Sequence, residues 1–358
     1  MSSRAVLFGF DPPVLDLGAA LTIAAEHWGL AGAPHRLRGE RSHNTLITGR
    51  DDAAWILQVQ SASEDPAVID LQTRALVHLE RHAPDVPVSR VVPTAAGELH
   101  AHVPIGDRIH LARLVTYLPG TTFDPIAPLP AHAYRRIGRL VGRIAVGLDG
   151  FEHPAAAHFM PWDVANGLIV DADVRADLTA ASTAAIESVD DRLHRVAATV
   201  HRLPHRTIHN DGHAGNLLRH DAASHQVTGI IDVGDLVHTV TAADVAIIAE
   251  SFAPDHSDPA AVVAEVTAGY HAELRLGDDE IAAIPELVLA RAALNVILGE
   301  HQMRHAPHLA RGAAANLPDV VARLVRWSRL DSGAIVARIH DALDTVPHLA
   351  SDTPEAAP

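Results

Sequence analysis

The chain has 358 residues, of which 48% are hydrophobic and 20% charged, a balance typical of a globular protein with two lobes or domains. Its formal net charge of −16 disfavours a nucleic-acid binder, because such proteins normally carry a basic face. It contains no cysteine, which excludes disulfides, thiolate metal sites and a cysteine nucleophile. No apolar run approaches the roughly 18 residues that cross a membrane, and the first residues are too short an apolar patch for a signal peptide, so we expect a cytoplasmic protein that does not bind membranes.

The first 120 residues predict a small sheet with two helices. Apolar residues recur at helical spacing before Gly29, and Pro66 favours the first turn of a second helix that Asp65 can cap. Turn signals at 39–40 and 49–52 separate short strands. In chain order the predicted elements are a helix over 14–29, two or three strands within 35–60, a helix over 66–82, and strands over 88–94 and 108–120.

Side chains of the strand over 55–60 alternate between two faces of the predicted sheet. Ile56, Gln58 and Gln60 share one face of this strand, and the other three residues share the opposite face. A polar residue is therefore expected on one side of the sheet at position 58.

Beyond residue 121 the composition favours helix, with helices predicted over 131–148 and 176–203 and a bundle over 240–345. Between the first two lies a loop in which Asp163 either caps the next helix or faces a substrate. Arg291 stands in the middle of an apolar helix, where a buried arginine needs either an internal carboxylate or a substrate anion.

The stretch from Thr207 to Asp235, TIHNDGHAGNLLRHDAASHQVTGIIDVGD, carries the clearest chemical signal. Asp211 is followed five positions later by Asn216, and sixteen positions after that by Asp232, which ends an apolar run. This pattern suits phosphoryl transfer: one carboxylate orients and deprotonates a hydroxyl, while the amide and the second carboxylate hold Mg²⁺ against nucleotide phosphates. Mg²⁺ keeps several waters, so two protein ligands are enough.

A zinc site is the alternative for the same stretch, because His209 and His213 are four residues apart. Gly212 and Gly215 indicate a loop rather than a helix, and no HExxH motif is present. We therefore do not expect zinc.

The stretches HNDGHAGN and IIDVGD resemble the HxDxxxxN…D signature of aminoglycoside phosphotransferase-like kinases, and IIDVGDLVHT…DVAI is similar to their hydroxylysine kinase branch. LRGERSHNTLI and the segment that follows it extend the resemblance over about residues 30 to 310. The resemblance implies an α+β, bilobal protein kinase-like fold. Its N-terminal lobe, over 1–117, is a small antiparallel sheet with a helix, and its larger, mainly helical C-terminal lobe covers 118–350. The tail over 351–358 is expected to be disordered.

By the same resemblance Asp211 is the catalytic base, Asn216 and Asp232 bind Mg²⁺, and ATP or GTP is the cosubstrate. The turn before the second strand would cover the nucleotide phosphates, although it holds a single glycine. A hinge at the end of the strand over 108–120 would bind the base. The residues expected to contact the nucleotide are Gly39, Ser42, Asn44, Gln58, Thr116 and Leu118.

The chain departs from the family pattern at Gln58, where the family places a lysine that holds the phosphates. A glutamine donates only neutral hydrogen bonds, which are weaker than charge-assisted ones. Either an arginine supplies the charge, with Arg41 and Arg74 as candidates, or the nucleotide site is weakened. Gln72 stands where the helix would carry the carboxylate that pairs with the lysine.

The acceptor is expected to be a small molecule with a hydroxyl group, an amino alcohol, a hydroxylated amino acid or an aminoglycoside-like compound, held by acidic side chains. Asp163, Glu250 and Glu300 are the candidates. Three alternatives stay open: a nucleotide-binding or scaffolding pseudokinase, favoured by Gln58; a kinase of serine or threonine in a biosynthetic peptide; and an enzyme that uses the same cleft for another transfer.

Overall fold

The computed structural model describes residues 7, 10–51, 53–124, 127–253, 256–307 and 316–345. These residues form an antiparallel sheet with two helices in the N-terminal part and a mainly helical C-terminal part. This is the two-lobed α+β architecture that the sequence predicts. The tail over 351–358 lies outside the described residues, and the lobe boundary after Tyr117 stays a prediction.

The N-terminal lobe is built on one antiparallel sheet of six strands: β1 Ala33–Leu37, β2 Ser42–Thr48, β3 Ala54–Gln60, β4 Val91–Val92, β5 Ala101–Ile105 and β6 Arg108–Thr116. Their order is β1-β2-β3-β6-β4, with β5 paired to β6. The strand predicted over 88–94 is reduced to two residues. Strand β5 was not predicted; it contains Pro104, which weakens a strand signal, and it forms a hairpin with β6.

Two helices flank this sheet, α1 Leu17–Trp28 and α2 Pro66–His82. Asp65 caps α2 by accepting a hydrogen bond from the backbone N–H of Ala67 at 2.9 Å, and Gly29 ends α1 in the left-handed conformation (φ 65°). Both predicted helices are confirmed, the second at both ends.

The two faces of the sheet differ in polarity, as the alternation in β3 predicts. Leu57 and Val59 are fully buried in a small core with Ala20 and Ile23 of α1. On the opposite face strand register aligns Asn44 of β2, Gln58 of β3 and Arg113 of β6 side by side. We call these three residues the polar row; it faces the cleft between the lobes.

The C-terminal lobe packs its helices around a large apolar core. Its longest helix passes the length and composition test for a membrane span, but 78% of the apolar window is buried inside the molecule, as in the core helix of a folded domain. The helices are α3 Ala131–Gly147, α4 Ala172–Arg175, α5 Ala180–Glu187, α6 Asp190–Thr199, α7 Ala243–Phe252, α8 Pro259–Glu273, α9 Asp278–His305, α10 Leu317–Ser328 and α11 Ser332–Asp344.

The single long helix predicted over 176–203 is wrong. The chain forms α5 and α6 instead, because Val189 leaves the helical conformation (φ −123°, ψ 6°). Asp190 and Asp191 follow in the first turn of α6, where the helix dipole favours acidic side chains. Arg175 forms an ion pair with Asp190, which fixes α4 against the start of α6.

Short strands in the C-terminal lobe carry the 207–235 stretch: β7 Thr121–Thr122, β8 His205–Ile208, β9 Leu217–Arg219, β10 Val227–Ile230 and β11 Val237–Val240. Strand β9 lies between β10 and β7, and β11 pairs with β8. The ends of these strands open into the cleft beneath the polar row.

Candidate active site

A cavity of about 540 Å³ lies between the sheet and the helical lobe. Asp211 and Asp232 line it from below. Four of the residues predicted to contact a nucleotide line it from above, namely Gly39, Ser42, Asn44 and Gln58. A cavity of this size suits a small ligand rather than an extended polymer.

The β9–β10 hairpin explains why residues sixteen positions apart meet. Leu217 pairs with Ile230, so the residues just outside this pair lie opposite each other. The backbone N–H of Ile231 donates to the carbonyl oxygen of Asn216 at 2.9 Å. Asp232, the next residue, is therefore held at the same end of the hairpin as Asn216.

Asp211 is fixed by the amide of Asn216. The Nδ2 atom of Asn216 donates to Oδ2 of Asp211 at 2.7 Å and to its backbone oxygen at 3.0 Å. The other carboxylate oxygen, Oδ1, lies 3.8 Å from a guanidinium nitrogen of Arg291 and 3.7 Å from Nε2 of His213. One oxygen is thus occupied inside the loop, and the other is left toward the cavity.

The backbone is strained next to both carboxylates. Within the described residues, Asn210 (φ 60°) and Asp232 (φ 66°) are the non-glycine positions with positive φ. Such strain persists where the surroundings enforce it, and it concentrates at functional sites. Here Asp244, fully buried in the first turn of α7, accepts a hydrogen bond from the N–H of Asn210 at 2.9 Å. Asp244 thus ties the loop that carries Asp211 to the start of α7.

Electrostatics distinguish Asp211 from an ordinary surface carboxylate. Burial and the negative charge of Asp235 raise its pKa well above the ordinary value, while Arg291 opposes the shift. A carboxylate with a raised pKa is a better proton acceptor near neutral pH. Buried His209 supports the loop from below: its Nδ1 accepts a hydrogen bond from the N–H of Asp211 at 3.3 Å, and burial lowers its pKa to about 4.

The donor set at the hairpin end fits a hard divalent cation. The amide nitrogen of Asn216 donates hydrogen bonds to Asp211, which leaves its amide oxygen to bind a cation. Asp232 is exposed to the cavity and forms no ion pair with any described residue. Oδ1 of Asp232 accepts a hydrogen bond from the N–H of Gly234 at 3.0 Å. One amide oxygen and one carboxylate without an ion-pair partner among the described residues are oxygen ligands of the kind that Mg²⁺ and Ca²⁺ bind.

The turn between β1 and β2 closes over this site. A side chain at Gly39 would place its Cβ 2.2 Å from the carbonyl oxygen of Ser42, so the tight turn requires glycine. Arg41 donates to Oδ1 of Asp235 at 2.6 Å and to the carbonyl of Gly234 at 2.8 Å. The turn is therefore bonded directly to the loop that follows Asp232.

Comparison with known proteins agrees with this site. Residues 35–283 match the phosphotransferase enzyme family. The chain belongs to that family. Hydroxylysine kinase from Mus musculus is 24% identical over 279 residues, 73% of each chain.

Solved structures show the same fold. A structure of amicoumacin kinase in complex with AMP-PNP, Ca²⁺ and Ami covers 90% of this chain and 97% of its own, with a TM-score of 0.68 and 16% identity. A microcompartment-associated aminopropanol kinase covers 87% and 97%, with a TM-score of 0.64 and 19% identity. The predicted bilobal kinase-like fold and the predicted family are confirmed, and this chain is a phosphotransferase.

Two residues predicted for the hinge lie outside the cavity lining. The N–H of Thr116 donates to the carbonyl of Arg90 at 2.8 Å, and its hydroxyl accepts a hydrogen bond from the N–H of Arg90. Leu118 packs near Gly229 of β10. Contact of Thr116 or Leu118 with a nucleotide base stays a prediction.

The three acidic residues predicted to hold the acceptor differ in whether they line the cavity. Glu250 lines the cavity. Asp163 does not line it: its carboxylate accepts hydrogen bonds from Thr239 Oγ1 at 2.7 Å and the N–H of Ala165 at 3.0 Å. Glu300 binds the hydroxyls of Thr179 and Ser182 at the start of α5 and is likewise absent from the lining. The structure therefore does not bring Asp163 or Glu300, both predicted to hold the acceptor, to the cavity lining, and both carboxylates bind groups inside the protein.

The positions of the arginines differ in part from what the sequence predicts. Arg74 is more than half exposed and binds Asp70 on its own helix, so it is not a cavity cation. Arg291 finds internal partners, the carbonyl of Trp162 at 2.7 Å and Asp211. Arg113 was missed, although a charged residue inside the apolar strand LARLV was a usable signal.

Proposed function

We propose that this phosphotransferase transfers the terminal phosphoryl group of ATP or GTP to a hydroxyl group of a small molecule that also carries an amino group. The observation that carries the proposal is the arrangement of Asp211, Asn216 and Asp232 at one end of a hairpin inside the interlobe cavity. The names of similar proteins agree with it: hydroxylysine kinase, aminopropanol kinase and an amicoumacin kinase that binds AMP-PNP.

In this mechanism Asp211 orients the acceptor hydroxyl and receives its proton on Oδ1, since Oδ2 is held by Asn216. The hydroxyl oxygen forms a bond to the terminal phosphorus, and the bond from that phosphorus to the leaving diphosphate breaks. Asn216 and Asp232 would hold a divalent cation, which when bound neutralises phosphate charge. Mg²⁺ is the cation that we propose.

Cavity charge supports an acceptor with an ammonium group. Eight carboxylates and five arginines line the cavity, so the lining carries an excess of negative charge. Glu250 is 4% exposed; its Oε2 accepts from Asn295 at 2.8 Å, and its Oε1 has no hydrogen-bond partner among the described residues. A buried carboxylate oxygen without a partner is costly, and a substrate ammonium would satisfy it.

A second charge beside Glu250 favours a hydroxylated amino acid over an amino alcohol. Arg323 of α10 lines the same part of the cavity and acts electrostatically on Glu250. Within the described residues no carboxylate lies within ion-pair distance of Arg323. An acceptor with an ammonium group for Glu250 and a carboxylate for Arg323 would pair both charges.

The test of phosphotransfer is nucleotide consumption with Mg²⁺ across a panel of hydroxylated amines and amino acids, with ATP and with GTP. We expect turnover with at least one acceptor and a loss of about 10²- to 10⁴-fold in kcat for Asp211→Asn, because the positioned base is removed. Nucleotide binding by Asp211→Asn should stay near that of the wild type. No turnover, together with no nucleotide binding by the wild type, would support the scaffold alternative instead.

The acceptor class is tested by comparing each hydroxylated amino acid with the amine that lacks its carboxylate. We expect Arg323→Gln to raise KM for the amino acid at least about tenfold and to leave KM for the amine unchanged, since only the first loses a charge-assisted bond. Glu250→Gln should raise both KM values. Arg329→Gln, an exposed arginine at the end of the same helix, is the control. Equal effects of Arg323→Gln on both acceptors would count against the amino acid.

A further inference from the structure

Arg113 is a buried cation in an unusual place. It lies in β6 between Ala112 and Leu114, is 5% exposed, and lines the interlobe cavity as one end of the polar row. Burying a charged side chain is costly unless a partner compensates it, so its partners decide what it does.

The hydrogen bonds of Arg113 orient its guanidinium without neutralising it. Its Nε donates to Oε1 of Gln58 at 2.7 Å, and one terminal nitrogen donates to Oγ1 of Thr73 at 3.2 Å. Both acceptors are neutral. Among the described residues no carboxylate lies within 4.0 Å of this guanidinium. Burial lowers the pKa of Arg113, and the electrostatic attraction of Glu64 and Asp232 only partly offsets that lowering.

The other arginines around the nucleotide side of the cavity are either exposed, as Arg38 is, or lie beside a carboxylate. Arg41 forms a 2.6 Å ion pair with Asp235, and Arg291 lies beside Asp211. Arg74 is absent from the cavity lining and forms an ion pair with Asp70. Arg113 is therefore the buried cavity arginine whose charge has no carboxylate within reach in the part of the chain that the structure describes.

We propose that Arg113, held in orientation by Gln58 and Thr73, is the phosphate-binding cation of this enzyme. The proposal rests on the proposed use of a nucleoside triphosphate. It gives Gln58 a defined task, because its amide oxygen accepts the Nε–H of Arg113. A lysine at position 58 would remove that acceptor and place a second cation beside the first, since the two residues are direct cross-strand partners.

The experiment measures binding of the Mg²⁺–triphosphate and of the nucleoside without phosphates, by calorimetry, to folded variants. We expect Arg113→Gln to raise the triphosphate Kd at least about tenfold and to leave nucleoside affinity unchanged, since only phosphates use the charge. Arg74→Gln is the matched control and should bind as the wild type does. Gln58→Lys should weaken triphosphate binding. The double variant Gln58→Lys with Arg113→Gln, which moves the cation one strand across, should recover most of the affinity.

The outcomes separate this proposal from the proposed function. A wild type that binds no triphosphate overturns both. A wild type that binds and turns over, with an Arg113→Gln variant equal to Arg74→Gln, overturns only the role of Arg113. An equal loss of triphosphate and nucleoside affinity also overturns it, because that is the pattern of general damage. If Arg113→Gln does not fold, the double variant decides: near wild-type triphosphate binding supports the proposal, and a tenfold or larger loss overturns it.

Discussion

The two walls of the cleft obtain their polar side chains in different ways. In the lower wall Asp211, Asn216 and Asp232 come from one short stretch, brought together by a loop and a hairpin. In the upper wall Asn44 and Gln58 come from the consecutive strands β2 and β3, but Arg113 comes from β6, 55 residues beyond Gln58, and only strand register places Gln58 beside Arg113. The site residues of the lower wall can therefore be predicted from their spacing in the sequence, whereas Arg113 of the upper wall becomes a neighbour of Gln58 only through strand pairing.

The walls also differ in how their charges are satisfied. The lower wall combines carboxylates with a strained backbone, and its free groups are anionic, which suits a metal ion and a proton transfer. The upper wall presents an oriented cation without an ion-pair partner among the described residues, which suits phosphate. Each wall thus lacks the charge that a metal–nucleotide complex would bring.

The largest effect on stability is expected at Asp244, which supports the lower wall. Asp244 is fully buried, and burial raises its pKa to about 7, so the folded state keeps a proton that the unfolded state releases above its ordinary pKa near 4. The folded state therefore loses stability as pH rises from about 4 to 7, by about 1.4 kcal/mol per unit, and the loss levels off above pH 7. Asp244→Asn mimics the protonated form and keeps the oxygen that accepts from Asn210.

We expect the stability of Asp244→Asn relative to the wild type to increase by about 2 kcal/mol between pH 5 and pH 7, because the carboxyl of Asp244 is already half ionised at its pKa of about 7. Urea unfolding of both proteins at each pH measures this difference, and comparison with the wild type removes the contributions of other titrating groups. Parallel pH profiles for the two proteins would show that Asp244 does not titrate in this range. The loop would then be held by a carboxylate that stays ionised.

Most of the fold could be predicted, because apolar periodicity and caps specify it locally. Helix α2 was predicted at both ends from Pro66, Asp65 and its apolar spacing. Helices α5 and α6 were merged, because Ser188 and Val189 between them include neither glycine nor proline to mark the interruption. Local signals therefore miss a helix interruption that no such residue marks.

The candidate site was predicted to the extent that its residues are close in sequence. The Asp211–Asn216–Asp232 spacing singled out three side chains that the structure brings together at one hairpin. Arg113 was missed because it lies 55 residues from Gln58, and only register in the sheet makes them neighbours. A charged side chain in an acidic chain has many internal uses, and sequence alone does not tell Glu250, which faces the cavity, from Glu300, which does not.

Substitution of these two glutamates tests how far the acceptor site extends, with a smaller expected effect on stability. Glu300 is buried and accepts hydrogen bonds from the hydroxyls of Thr179 and Ser182, so it holds the start of α5. Glu300→Gln replaces a charged acceptor by a neutral one, and we expect a loss of about 1–3 kcal/mol in unfolding free energy with KM for the acceptor unchanged. Denaturant unfolding and steady-state kinetics measure the two quantities.

Glu250→Gln is the matched control, because it makes the same chemical change in a residue buried to the same extent that instead lines the cavity. Its Oε1 has no protein partner among the described residues, so the substitution removes charge from a group that the fold leaves free. We expect the opposite pattern, a raised KM for the amino-bearing acceptor with little change in stability. If Glu300→Gln raised KM as much as Glu250→Gln does, the acceptor would reach past Gln302 to the start of α5, and the cleft would be larger than the cavity between the two walls.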